Sequence, residues 1–131
     1  MPVRILRLAL LLLLGCTAPN TGLDPDAGPR VGEPVGRSNH PRSGHFTYRL
    51  GDIERDGNDL RVDLRFSNGT HRDYGQVALR VILFGEEGKI RAVRMPVGAI
   101  RAEQTKPLSA TISGVTFRVQ DITLELIYAL P

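Results

Sequence analysis

Strict alternation of apolar and charged residues in the stretch DLRVDLRFSNG, residues 59–69, most constrains the fold of this chain. Large apolar side chains recur there at every second position: Leu60, Val62, Leu64 and Phe66. Period two places one set of side chains on the core face of a strand and the other set in water, whereas a helix needs a period near 3.6. The stretch therefore predicts a half-buried β-strand that ends at an Asn68-Gly69 turn.

The same alternation recurs through residues 44–131, between short turns that contain glycine. The residues expected to face inward are Phe46, Tyr48 and Leu50, then Val77, Leu79, Val81 and Leu83, then Ile90, Ala92 and Met95 after a turn at 86–88, then Leu108, Ala110 and Ile112, and last Ile122, Leu124, Leu126 and Tyr128. No segment carries a helical period. The domain 44–131 is therefore expected to be all-β, a small antiparallel β-sandwich of six or seven strands.

Residues 59–128 resemble the small immunoglobulin-like sandwiches called FxLyD domains. Family positions are matched by the strand-end Asn68, the loop aromatic Tyr74, Leu83-Phe84-Gly85 in place of Leu-Tyr-Asp, and the turn glycine Gly88. The chain departs from the family pattern at Val81, Gly85 and Ala102-Glu103. The resemblance implies an immunoglobulin-like fold and no shared catalytic site, and fold alone does not specify function.

Residues 1–15 have the layout of a secretory signal peptide, with Arg4 and Arg7 ahead of an apolar run at 8–14. The run is too short for a membrane span, which needs about 20 residues. Leu13-Leu14-Gly15-Cys16 resembles the lipobox of bacterial lipoproteins, which implies cleavage before Cys16 and lipid attachment to its sulfur. Thr17, where inner-membrane lipoproteins tend to carry Asp, implies an outer-membrane anchor facing the periplasm. Two or more acyl chains make such anchoring durable.

The segment 16–43 is rich in proline and glycine and has no apolar period. Its few large aliphatic side chains, Leu23, Val31 and Val35, do not promise enough burial to offset the entropy cost of ordering. We therefore expect a flexible tether with polyproline-II character between the lipid and the sandwich, with an average reach near ~30 Å.

Charge and composition argue against several function classes. The net charge of +3 falls to +1 when Arg4 and Arg7 leave with the signal peptide, since 15 basic residues then face 14 acidic ones. Because basic and acidic residues are interspersed, no concentrated phosphate-binding face is expected, and nucleic acid is not an expected partner. His40 and His45 have no third ligand nearby in the sequence, so no metal site or cofactor is expected. No nucleophile motif or convergent set of titratable residues predicts an enzyme or a small-molecule substrate.

One strand predicts a surface for a partner. Between Val77 and Phe84 both faces are apolar, and the second face presents Arg80, Ile82 and Phe84, with Ile127 as an extension from the last strand. Either another element covers this face or it is an exposed patch for a protein partner. The expected function is a non-enzymatic accessory or interaction module of a cell-envelope complex. The alternatives are a small-ligand or peptidoglycan binder and a periplasmic hydrolase inhibitor that presents loops 68–75 or 101–107.

Overall fold

Two β-sheets contain most of the residues that the computed structural model describes, which are 29–37 and 45–131. The strands are β1 (Gly36–Arg37), β2 (Phe46–Asp56), β3 (Asp59–Asn68), β4 (Tyr74–Gly85), β5 (Ile90–Ile100), β6 (Thr105–Ile112) and β7 (Val119–Leu130), and a 3-10 turn lies at Glu86–Gly88. The order is β1-β2-β3-β6 in one sheet and β5-β4-β7 in the other. All strand pairs are antiparallel except β1 with β2. The expected all-β sandwich is confirmed.

The strand order follows the immunoglobulin-like scheme. In that scheme strands A, B and E share one sheet, C′, C and F share the other, and strand G pairs with the outer edge of F. Here β2, β3 and β6 take the positions of A, B and E, while β5, β4 and β7 take those of C′, C and F. The outer edge of β7, where strand G would pair, is therefore the edge of this sheet at which a further segment can add.

The core lies between the sheets and contains most of the side chains that the alternation predicted. Those buried in it include Phe46, Tyr48, Leu60, Val62, Leu64, Phe66, Val77, Leu79, Val81, Leu83, Ile112, Ile122, Leu124 and Leu126. The Phe46 ring lies 5.2 Å from that of Phe66 and 5.3 Å from that of Tyr74. Full burial of each large apolar side chain contributes about 1.5–3 kcal/mol, so packing alone can hold this domain.

The first part of strand β5 faces the opposite way from the expectation. Ile90 is 60% exposed and Ala92 is exposed, whereas Met95 is buried, as expected, together with Val97. The length of the turn at Glu86–Gly88 sets this register, because it places Ile90 opposite Phe84 on the outer face of β4. A shift of one residue in a hairpin exchanges the two faces of a strand, so the inward assignment of Ile90 and Ala92 is wrong.

The end of β7 also departs from simple alternation. The pairing of β4 with β7 is irregular between Ala78 and Leu79, so that Leu126 lies opposite Leu79 but Tyr128 lies opposite Ala78. Tyr128 is half-buried outside the core cluster, and Ala129 packs against the core in its place. A β-bulge adds one residue to one strand and changes its facing, and a period-two pattern does not reveal it.

Residues 32–37, here called the N-terminal strap, run along the outer edges of β7 and β2. Val35 donates its backbone N–H to Leu124 O at 2.8 Å, and Leu126 donates to Glu33 O at 3.1 Å. Val35 is 7% exposed within the core cluster. The expected flexible tether over 16–43 is therefore wrong for this part, because backbone hydrogen bonds and one well-placed aliphatic side chain suffice to dock it.

Other sequence-based expectations lie outside the described residues. These are the signal peptide, Cys16 with its lipid, and the rest of the tether at 17–28 and 38–43. Within 29–37 and 45–131, no helix has the length and hydropathy needed to cross a bilayer.

A lysine closes part of the opposite edge of the sandwich. The ammonium group of Lys106, on β6, donates to the carbonyl oxygens of Val97 at 2.9 Å and Ala99 at 2.8 Å, both on the edge strand β5. Lysine at a sheet edge discourages pairing with further strands, so this contact protects β5 while joining the two sheets.

Candidate interaction surface

The structure places three of the four predicted partner-binding residues on the outer face of β4. Arg80 is exposed, and Ile82 and Phe84 are half-buried. Ile127, the fourth, is half-buried at the bulge in β7, next to Tyr128 opposite Ala78. At about 3.3 Å per residue, that position lies about 13 Å along β4 from Ile82. Arg80, Ile82 and Phe84 thus form one surface, while Ile127 lies beyond its end.

Neighbouring strands extend this surface on both sides of β4. In the register of the sheet, Phe84 lies opposite Ile90, Ile82 opposite Ala92, and Arg80 opposite Arg94, all on β5. We call these residues of β4 and β5 the outer-face patch: Arg80, Ile82, Phe84, Ile90, Ala92 and Arg94. The sequence analysis missed the β5 half of the patch because it assigned Ile90 and Ala92 to the core.

Two arginines lie at one end of the apolar part of the outer-face patch. The Nη1 atom of Arg80 lies 3.5 Å from a carboxylate oxygen of Glu125. Arg94 donates to the hydroxyl of Tyr128 at 2.6 Å, and its guanidinium lies 5.3 Å from the centre of that ring. These contacts hold both side chains against the sheet. A surface of aliphatic and aromatic groups with ordered arginines is suited to protein contacts, in which arginine and aromatic residues are enriched.

A polar cluster fastens the N-terminal strap to both sheets. Arg37 donates through Nε to the hydroxyl of Tyr48 on β2 at 2.8 Å, and through Nη2 to the Asp121 carboxylate and the Ile122 carbonyl on β7. The Tyr48 hydroxyl in turn donates to the Ile122 carbonyl at 3.1 Å. The hydrogen bond from Arg37, with a further one from the Ile122 amide, lowers the pKa of Asp121 below its usual value despite some desolvation.

This cluster predicts an acid-sensitive contribution to stability. Because the pKa of Asp121 is lower in the folded state, its carboxylate stabilises the fold above the unfolded-state pKa, and this contribution disappears as the pH falls through the folded-state value. Urea unfolding at several pH values should show Asp121→Asn less stable than wild type at neutral pH. The difference should begin to shrink as the pH falls to about 4 and should vanish once the pH is below the folded-state pKa of Asp121.

The matched control for this experiment is a chain that lacks the Arg37 guanidinium. In an Arg37→Gln background, Asp121→Asn should change stability little at any pH, since the main partner of the carboxylate is gone. A difference between wild type and Asp121→Asn that stays constant with pH would contradict the assigned role of the ion pair.

Loops 69–73 and 101–104 meet at one end of the sandwich. Asn68, buried at the end of β3, donates to the carbonyl oxygens of Arg72 at 2.7 Å and Arg101 at 2.9 Å. The Ala102 amide donates to the Asp73 carboxylate at 2.7 Å. The two loops named for the inhibitor alternative therefore form one surface, but Asn68 itself is a structural residue inside it.

A shallow, open cleft of about 440 Å³ lies beside the loop between β6 and β7, lined by Ile53, Arg55, Leu60, Thr116, Phe117, Arg118 and Val119. Arg55 is already engaged there, donating to Val115 O at 2.8 Å and Phe117 O at 2.6 Å. Among residues 29–37 and 45–131, no group of three or more His, Cys, Asp or Glu side chains is placed to hold a metal ion.

Comparison of the chain with protein-family models, with curated proteins and with solved structures finds no match.

Proposed function

We propose that the protein is a lipid-anchored component of the bacterial cell envelope whose sandwich is a non-enzymatic protein-interaction module. In this proposal the lipid is attached to Cys16, the anchor lies in the outer membrane facing the periplasm, and the outer-face patch contacts an envelope protein. The observation that carries the proposal is a group of exposed and half-buried aliphatic and aromatic side chains beside two arginines on one sheet face. The lipobox-like sequence ending at Cys16 supports the location.

The chemistry of the patch defines the expected partner. Ile82, Phe84 and Ile90 need an apolar counterpart, and Arg80 and Arg94 favour carboxylates around it. We therefore propose a protein partner with an apolar surface bordered by Asp or Glu. Such contacts associate more slowly as salt concentration rises, because screening weakens charge steering.

Site-specific cross-linking tests this proposal in membranes. A photo-reactive amino acid at position 82 of the full-length lipoprotein should give a discrete cross-linked product. The same amino acid at position 65, which is exposed on β3 in the other sheet, should not. Equal labelling at both positions, or none at 82, would argue against the patch as the contact surface.

An affinity measurement with the partner identified in this way provides the quantitative prediction. Ile82→Asp should weaken binding by about tenfold or more, since burying an unpaired carboxylate in an apolar contact costs at least 1–2 kcal/mol. Arg65→Asp is the matched control and should bind like wild type. Thermal unfolding of both variants shows whether lost binding reflects the surface or a lost fold.

The inhibitor alternative is favoured by one observation, the contact between the two loops at the end of the sandwich. The Glu103 amide donates to Thr70 O at 3.3 Å, and His71 lies 3.5 Å from the Glu103 carboxylate. A cross-link from position 71 to an envelope hydrolase, with inhibition of that hydrolase by the intact protein, would favour this alternative over the outer-face patch.

A further inference from the structure

We propose that the N-terminal strap is exchangeable, so that the edge of β7 accepts the strap of a second copy of this chain and two copies form a strand-exchanged dimer. This inference concerns a different side of the sandwich from the outer-face patch. It does not depend on the proposed function.

The β7 edge supplies the main-chain part of the acceptor site. In the immunoglobulin-like order, this edge is the position of strand G. The strap fills it in antiparallel orientation, with Pro34 opposite Glu125. Its backbone hydrogen bonds to β7 involve Leu124 and Leu126, where Gly32 adds a third at 2.8 Å to the two already described. Pairing this short holds a segment in place without making it an inseparable part of the sheet.

Two side-chain sites give the acceptor its specificity. Val35 fills an apolar gap between the sheets, where it is 7% exposed. Two residues later, the Arg37 guanidinium enters a site made by the Asp121 carboxylate, the Ile122 carbonyl and the Tyr48 hydroxyl. The edge therefore recognises an extended segment with an aliphatic residue and an arginine in an i, i+2 relation, and it needs no other large side chain.

A second copy is the occupant that meets every one of these requirements. Its strap carries the same Val35 and Arg37, so exchange replaces each contact by an identical one. Residues 38–45 join the strap to β2, and eight residues can span up to about 28 Å, which is enough to reach a neighbouring sandwich. Because this connection is short, a chain's own strap has an effective concentration in the millimolar range at its own β7 edge. The strap of a second copy has to compete with it for that edge. The dimer is therefore expected to form as the concentration of chains approaches that value.

Mixing two single-cysteine chains tests the exchange directly. Both full-length chains carry Cys16→Ser, which removes the one native thiol; one adds Pro34→Cys and the other Glu125→Cys. Residues paired in this way lie about 4.5–5.5 Å apart at Cα, within the range a disulfide bridges. A 34–125 disulfide between chains, identified by peptide mass mapping, forms only when the strap of one copy lies on β7 of the other. Replacing the Glu125→Cys chain by an Arg65→Cys chain gives the collision background.

A charge-exchanged pair strengthens the test. Adding Arg37→Glu to the Pro34→Cys chain and Asp121→Arg to the Glu125→Cys chain makes each strap repel its own edge while the exchanged contact becomes attractive. We expect the interchain disulfide to exceed the collision background in both pairs. In the charge-exchanged pair it should reach half its maximum at a concentration at least about tenfold lower. Yields at the background level in both pairs overturn the proposal. Since neither membrane nor partner is present, the result stands apart from that of the cross-linking experiment.

Discussion

Replacing Asn68 by alanine is expected to lower the free energy of unfolding by about 3 kcal/mol, the largest single effect among the polar residues considered above. Asn68 is 1% exposed. Besides its two donated bonds to the loop carbonyls, its Oδ1 accepts from the Thr70 amide at 3.0 Å and the Thr70 hydroxyl at 2.6 Å. Removing the amide leaves four partly buried polar groups without this partner, and each loses a hydrogen bond where water has limited access. Urea unfolding of the purified domain in its full chain measures the change.

Asn68→Asp is the matched control for shape. It keeps the acceptor oxygen for Thr70 but replaces the donor group by an oxygen that faces the carbonyls of Arg72 and Arg101. We therefore expect it to be at least as destabilising as alanine at neutral pH. If Asn68→Ala lowered the free energy of unfolding by less than about 1 kcal/mol, water would be replacing the amide. Asn68 would then not be the residue that holds the two loops together.

Gly85→Ala is expected to destabilise the protein by about 1–3 kcal/mol through a steric overlap with an aromatic ring. A Cβ atom at position 85 would lie 2.6 Å from Cε2 of Phe117 and even closer to Cδ2. Phe117 is half-buried and packs against the core, so its ring has to leave this position. Urea unfolding again measures the loss.

A double-mutant cycle separates the overlap from other effects at Gly85. In a Phe117→Ala background the ring is absent, and Gly85→Ala should then cost less than about 0.5 kcal/mol. The coupling between the two positions should accordingly exceed about 0.5 kcal/mol. Equal costs in both backgrounds would place the cause in the backbone of Gly85 instead of the ring.

The sequence predicted faces well where a strand is paired regularly along its length. In β3 the alternation from Leu60 to Phe66 matches the buried face residue for residue. In β5 the alternation did not predict the faces correctly, because the inward face depends on the register set by the turn at Glu86–Gly88. The spacing of Ile90 and Ala92 shows that they share a face but not whether that face is inside or outside. Half of the outer-face patch was hidden for that reason.

The N-terminal strap was missed for a different physical reason. Main-chain hydrogen bonds at a sheet edge require no side-chain pattern, and proline is tolerated where its missing N–H is not needed. A periodic pattern needs several apolar residues at a fixed spacing, and a single buried valine among prolines and glycines does not produce one. Only Arg37, placed two residues beyond Val35, distinguishes the strap from the remainder of the proline-rich segment, and its partners Tyr48 and Asp121 are distant in sequence.

The contact of Lys106 with β5 makes the β5 edge less able than the β7 edge to pair with a strand of another molecule. On the β5 side an ammonium group occupies two carbonyls that an incoming strand would use, which disfavours extension of the sheet there from molecule to molecule. Backbone pairing between molecules is thereby favoured on the β7 side. In the proposed dimer, a reciprocal exchange at that side uses each strap and each β7 edge once, so the exchange contact closes at two subunits and does not propagate from molecule to molecule.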